Sequence, residues 1–505
     1  MKLKILVVLV TYLFPFVCSS QRITYSEAER EDSRALDFEV IGKVSNNFLV
    51  YKNIRNKYAV SVYDNEMKLK ERVNLDFIPD KTINVDFISY PDFAYLIYQY
   101  QKRNILHCMA VKLDGEGNKL ADPVQLDTTY INVFADNKIY TTIFSEDKQK
   151  IVIYKIQKKN DKFYFTTHLY NSALTLLHTT RLMLPYDDHK DALSDFSVDN
   201  DGNFIFTKGV KSSARDLIGR LTLYIKKPDE DVFDSHEINL NNHYLDEIKI
   251  KVDNINKHYI LNSFYYRQRH GNIEGLFTML WNSQLNKEEL ETTIPFSDTL
   301  KSEAKTDGSA KFAFNDFFIR QVIAKKDGGF ILSGEDYYTQ SRSNPWNRMD
   351  YLYGYPYLSA YDYYLYSPSG YWYSYRPRSF YSSAAQTRYY YDNIVVMNFD
   401  KNAKLIWSNI VHKSQYDDET DNYLSFQVMN AGGELHFLFN ELERRNQLLS
   451  DQSITPDGQL KRNPTLKSLD RGYAFMPRFA KQVSAKQIIV PCTYRNYICF
   501  AKLDY

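Results

Sequence analysis

Two acidic runs are the first places where this sequence could do chemistry: YDDHKD (Tyr186 to Asp191) and YDDETD (Tyr416 to Asp421). Two carboxylates held close together can cleave a glycosidic bond, one as acid and the other as base or nucleophile. No sequence feature ties these acids to a cleft. The ten histidines include no pair at three- or four-residue spacing, so a zinc site is not expected. The run DNDGN (Asp199 to Asn203) is similar to the start of a calcium loop but lacks the regular later acids. It reads as a hairpin turn in which Gly202 supplies positive φ. There is no G-x-S-x-G elbow, no glycine-rich phosphate loop and no H-E-x-x-H. No constellation specifies a reaction. The expectation is a protein that is not an enzyme and holds no metal or cofactor, with glycoside hydrolysis as the runner-up.

Binding chemistry is concentrated elsewhere. Residues 337–391 hold seventeen of the forty-three tyrosines, together with Trp346 and Trp372. The stretch has neither a two-residue nor a 3.6-residue apolar period, so it reads as neither an ordinary strand nor an amphipathic helix. It lies between two strand signals, GGFILSG (Gly328 to Gly334) and NIVVMNF (Asn393 to Phe399). Loops of this length inside a compact domain are uncommon and usually functional or disordered. Tyr, Trp and Arg carry much of the energy at protein interfaces, and Tyr with Ser and Gly is the mixture of adaptable paratopes. The candidate partner-binding residues are Tyr363, Tyr364, Tyr371, Trp372, Tyr373, Tyr375, Arg376 and Arg378. A protein is the expected partner, and a glycan stacked on the rings is the alternative. The plainer reading is a lid whose rings pack on the protein's own body.

Residues 1–20 read as a secretory signal peptide: Lys2 and Lys4, then the apolar run ILVVLVTYLFPFV, then small residues before Gln21. That run is short for a membrane-spanning helix, which needs about 20 residues. No later run is apolar enough to cross a bilayer as a helix. Cleavage removes two lysines and no acid, which leaves 61 basic against 62 acidic residues. A chain so close to neutral is not expected to be a dedicated nucleic-acid binder. Three cysteines remain: Cys108, Cys492 and Cys499. The last two flank a tight turn at Arg495 and Asn496, directly opposite each other. They read either as two small buried apolar residues or as a cross-strand disulfide.

What must position any site is a repeat. An apolar strand, an Asp or Asn turn and a second strand recur in AVSVYDNEMKLKERVNL (from Ala59), MAVKLDGEGNKLADPVQL (from Met109), THLYNSALTLLHTTRLML (from Thr167), FTMLWNSQLNKEELETTI (from Phe277) and IVVMNFDKNAKLIWSNIV (from Ile394). Two further strands precede each copy, as in DFSVDNDGNFIFTKG (Asp195 to Gly209). Four short strands per unit of about 50 residues make the pattern of a propeller blade. The fold expected over residues 21–505 is all-β: one β-propeller of eight four-stranded blades, with seven as the alternative. The blades begin near residues 37, 83, 133, 193, 245, 317, 423 and 475. The eighth ends after three strands, and ITYSE (Ile23 to Glu27) from the N-terminus completes it. Closure of this kind removes an exposed sheet edge.

In such a blade the second-to-third loops share a face with the connections between blades. The insertion at 337–391 is the second-to-third loop of the sixth unit, so it belongs to that face. The same loop in other units is basic: Arg55 and Lys57; Lys102 and Arg103; Lys158, Lys159 and Lys162; Lys208, Lys211 and Arg215; Arg267 and Arg269; Arg444 and Arg445; Arg495. A basic collar with acidic connections would orient a partner and speed encounter. Solvated hairpin tips are the plainer reading.

The segment YYYDNIVVMNFDKNAKLIWSNIVHKSQ (Tyr389 to Gln415) resembles a passage found in secreted, mostly uncharacterised propeller-like proteins of Bacteroidota. There an aromatic-rich loop precedes a strand, an Asp-bearing turn and an apolar-Trp strand. The resemblance implies export and a location in the periplasm or cell envelope, without implying an activity. No C-terminal sorting domain of the type IX kind is seen, which favours the periplasm over the cell surface. The partner so implied is an envelope protein, with an outer-membrane export complex, to which this chain would be an accessory or plug, as the specific case.

Overall fold

The computed structural model describes residues 21–505 except 33–35, 132–137, 188, 214–215, 306–309, 342–344, 354–373, 376–386, 444–445 and 464–471. The architecture follows from one local device used repeatedly. In the turn between third and fourth strands, an Asp or Asn side chain accepts two backbone N–H groups. Asp64 Oδ1 takes those of Glu66 and Lys68 at 2.8 and 2.9 Å. Asp114, Asn171, Asn282 and Asp400 repeat the arrangement. The chain then passes through a left-handed residue, such as Met67, Gly117, Leu174 or Ala403. That residue bulges the ladder and aims the fourth strand back across the blade. The repeated Asp/Asn marker is therefore a turn cap.

Eight antiparallel meanders result. Their first strands are Leu36–Val44, Thr82–Ser89, Thr141–Phe144, Asp191–Leu193 with Ser197–Val198, Lys249–Asp253, Phe317–Ala324, Phe426–Ala431, and Tyr473–Phe475 with Lys481–Ser484. Each starts within about eight residues of the start expected from the repeat. The fourth and fifth meanders merge into one sheet through the short strand Tyr244–Leu245, which bonds to both.

The meanders form a ring. Each of eight apolar cores is assembled from two successive blades. One of them joins the eighth blade to the first, with Phe38 edge-on to Phe500 at 5.6 Å. At roughly 2–3 kcal/mol per fully buried large apolar side chain, these shared cores are the main force closing the circle. The eighth blade ends with Tyr497–Asp504, and Arg22–Tyr25 from the N-terminus pairs with it, Arg22 opposite Asp504. The propeller has eight blades and closes by strand exchange between its ends. Among the described residues no helix is long and apolar enough to cross a membrane.

Two sequence expectations resolve here. Asp199 caps its own hairpin, accepting from the backbone N–H groups of Asp201 and Asn203, with Gly202 at φ +96°. Cys492 and Cys499 do stand opposite each other, fully buried with free thiols and sulfurs 2.9 Å apart. One expectation needs correction. The ends of the aromatic stretch are strand, because Phe330–Ser341 and Thr387–Phe399 run well into it. Tyr337 faces Tyr391 and Tyr338 faces Tyr390, the latter pair stacked at 4.5 Å. Cross-strand ring pairs stabilise a ladder without needing an apolar alternation.

Candidate functional site

The insertion leaves the second strand of the sixth blade and doubles back at once. Its short helix Arg348–Tyr353 lies on the propeller body. Tyr351 packs on Phe318 and Tyr337 at 4.5 and 4.8 Å between centroids, and Trp346 packs on Tyr337 at 5.3 Å. Polar atoms fix the seat. Trp346 Nε1 donates to Asp316 Oδ1 at 2.9 Å. Arg348 forks onto Asp246 through Nε at 2.9 Å and Nη2 at 2.7 Å, and donates to the carbonyls of Asn315 and Phe317. Asp246 is buried and also accepts from the Tyr266 hydroxyl. Its carboxylate, with burial, raises the Tyr266 pKa well above the phenol range. The root of the insertion is thus packed on the propeller's own body.

Beneath this seat lies a buried ionic cluster that joins blades six, seven and eight. Glu335 receives Arg320 at 3.0 Å, Lys413 at 2.9 Å and the Ser425 hydroxyl at 2.8 Å. Arg320 also donates to the Tyr351 hydroxyl at 3.0 Å, which ties the cluster to the insertion. Arg478 bonds Asp421 at 2.7 Å and the Tyr391 hydroxyl at 3.2 Å. Burial pulls the Lys413 pKa down against Glu335, its opposing partner. Nearby, burial and the carboxylates of Asp316 and Asp392 push Asp336 up to about 8.

Arg320 and Arg478 reach the central channel. A cavity of about 310 Å³ there is bounded by the inner strands of blades five, six and seven, with Lys249, Lys251 and Asp195 on its wall. Lys249 bridges Asp195 at 3.1 Å and Glu247 at 2.7 Å. The cavity wall thus mixes these charges with apolar side chains such as Ile319, Val322 and Val428.

Of the residues expected to bind a partner, Tyr363, Tyr364, Tyr371, Trp372, Tyr373, Arg376 and Arg378 lie outside the described residues. Tyr375 belongs to the short strand Ser374–Tyr375, which pairs with the inner strand of the first blade, Tyr375 opposite Phe38. The insertion therefore touches the propeller at its root on blade six and again on blade one. Of the acidic connections, Asp421 joins the ionic cluster and Asp418 pairs with Arg388. Sequence reasoning passed over Arg320, Glu335, Lys413 and Asp246. A charged residue inside an otherwise apolar strand, as in FFIRQV and FILSGE, was the available signal.

The chain matches no protein-family model and no curated protein. Among solved structures it is similar to prolyl oligopeptidase B from Galerina marginata, at 9% identity and TM-score 0.40, over 92% of this chain and 56% of that one. It therefore spans little more than half of that enzyme's length. It is also similar to the β-propeller domain of the Trilobed protease from Pyrococcus furiosus, at 9% identity and TM-score 0.37, over 84% and 96% of the two chains. A polysaccharide lyase is similar at 8% identity and TM-score 0.38, over 84% and 90%. The expectation that this chain is not an enzyme is withdrawn on this finding, because the solved structures it is similar to include peptidases and polysaccharide lyases.

Proposed function

We propose that this propeller is an exported protein that holds a protein partner in the cell envelope, through the face carrying residues 337–391. One observation carries the reading. The longest second-to-third loop of the ring is clamped at its root by Arg348 on Asp246 and meets the first blade again through Ser374–Tyr375. Between those two contacts runs sequence dense in Tyr, with Trp372, and Arg376 and Arg378 follow directly after the second contact. Anchoring both sides of such a segment lowers the ordering cost of binding, which otherwise consumes much of an interface's energy. The export component rests on the basic-apolar segment at residues 1–20 and on the resemblance over residues 389–415.

The test uses the chain from Gln21 and a variant in which residues 354–386 become a short Gly/Ser linker. Both are used to capture proteins from solubilised envelope, after thermal unfolding shows equal stability. A captured protein is then purified and its affinity measured against both forms. The proposal expects at least a tenfold loss with the linker variant. Equal affinities would show that this face is not the binding element.

A further inference from the structure

A second site, lined by no residue of the insertion among the described residues, lies in the groove between the fourth and fifth blades. We propose that this groove binds an anionic oligosaccharide, a chain of sugars bearing carboxylate or sulfate groups. The groove has a volume of about 820 Å³, within the range of built ligand sites. Four cations line it, from four different segments: Lys190 before the fourth blade, Lys211 and Arg220 on its second and third strands, and Arg269 on the hairpin of the fifth. Glu237 is the one acid on its wall among the described residues. The sequence had placed Lys211 and Arg269 in the basic collar of separate blades, and the fold brings both to one groove.

The lining suits sugars better than peptide. Tyr244 presents a ring held by strand pairing of its backbone, with the Arg269 guanidinium 5.4 Å from its centre. Gly219 lies beside that ring, where a Cβ would sit at ordinary van der Waals distance, 3.6 Å from its edge. The tip Asn239–Asn242 adds side-chain amides: Asn239 donates to Asn241, Asn241 donates to Glu291, and Asn242 adds a third amide, a donor and acceptor type that matches vicinal hydroxyls. Its backbone is left-handed at Asn241 and Asn242, φ 48° and 61°, so the amides stand on a tight turn. The apolar lining residues Ile238 and Leu240 are buried in the core between these blades, and Leu217 is buried in the neighbouring core, so they present little surface to a peptide's apolar side chains. Lys211 is only 5% exposed, and burial lowers its pKa to about 8 in spite of Asp191 and Asp216. An anion in the groove would hold that charge more firmly.

Isothermal titration with three probes decides the matter: a galacturonate hexamer, a chondroitin sulfate hexasaccharide and neutral maltohexaose. The proposal expects at least one acidic probe to bind and maltohexaose to bind at least tenfold more weakly. Arg220→Gln and Lys190→Ala, both at exposed positions, should together weaken the acidic probe at least tenfold. Tyr244→Ala, if folded by circular dichroism, should do the same. Failure of both acidic probes overturns the proposal, as does binding that the exposed variants leave unchanged. Equal binding of a hexaglutamate peptide would overturn the sugar assignment. The linker variant of residues 354–386 should keep this binding in full, so the groove stands or falls independently of the insertion.

Discussion

Arg348 forks onto Asp246 across 102 residues of sequence, with contacts of 2.7 and 2.9 Å and the carboxylate almost fully buried. The pair joins the root of the sixth-blade insertion to the connection entering the fifth blade. Removing one partner of a buried pair leaves an uncompensated charge, which costs more than the pair itself contributes. Arg348→Ala should therefore lower unfolding free energy by about 3 kcal/mol. Asp246→Asn in that background should recover part of the loss, because the orphaned charge is then gone. Urea unfolding of the two single variants and the double variant reads the coupling, and additive costs would show that the pair does not act as a unit.

A pH dependence follows from Asp336. Its folded pKa, about 8, lies above the ordinary 3.8, through burial first and the repulsion of Asp316 and Asp392 next. The native state thus keeps a proton that the unfolded chain has lost, so the contribution of this group to stability is greatest near pH 4 and below and falls as pH rises towards 8. Asp336→Asn should flatten that slope and gain at least about 1 kcal/mol at pH 8, while changing little at pH 4. Urea midpoints at four pH values test this, and parallel curves for the two proteins would refute it.

These two sites show what the sequence disclosed and what it concealed. The ring was legible because its turns are local: the Asp or Asn at positions 64, 114, 171, 282 and 400 bonds to backbone only two to four residues away. Such a bond leaves a fixed mark in one dimension. Arg348 with Asp246, and Arg320 with Glu335 and Lys413, have partners set by the curvature of the ring, and no spacing rule records them. The rings of the insertion were visible as composition. Trp346 and Tyr351, which pack on the body, were indistinguishable from the neighbours counted as binders.

The hairpin arginines give a prediction about the collar. Arg55, Arg103 and Arg495 occupy left-handed backbone at exposed hairpin turns, with φ of 50°, 56° and 50°. That conformation suits Asn or Gly and costs other residues about 1 kcal/mol. Arg55→Asn and Arg103→Asn should each raise stability by about 0.5–1 kcal/mol. Arg495 also lies over the Tyr494 ring at 5.2 Å, so Arg495→Asn should gain less. Thermal midpoints settle the order. A loss of stability at position 55 would mean that its side chain holds structure, and the collar would lose its standing as a surface kept for encounter.

The ring closure gives the last prediction. Ser26 N–H donates to the Phe500 carbonyl at 2.9 Å, and the Phe500 N–H returns a bond to Ser26 Oγ at 3.0 Å. Beside them Tyr25 packs on Tyr473 at 4.4 Å and on Phe475 at 6.3 Å. A chain beginning at Ala28 loses this strand and its apolar contacts, a loss of about 5 kcal/mol. It also exposes the edge Phe500–Asp504, an invitation to pair with another molecule. Light scattering should then detect association that the longer chain does not show. A synthetic peptide of residues 21–27, added in excess, should restore both the thermal midpoint and the monomer, because the vacated edge is the same surface in trans. If the truncated chain stays monomeric and equally stable, the shared core around Phe38 and Phe500 closes the ring without the exchanged strand.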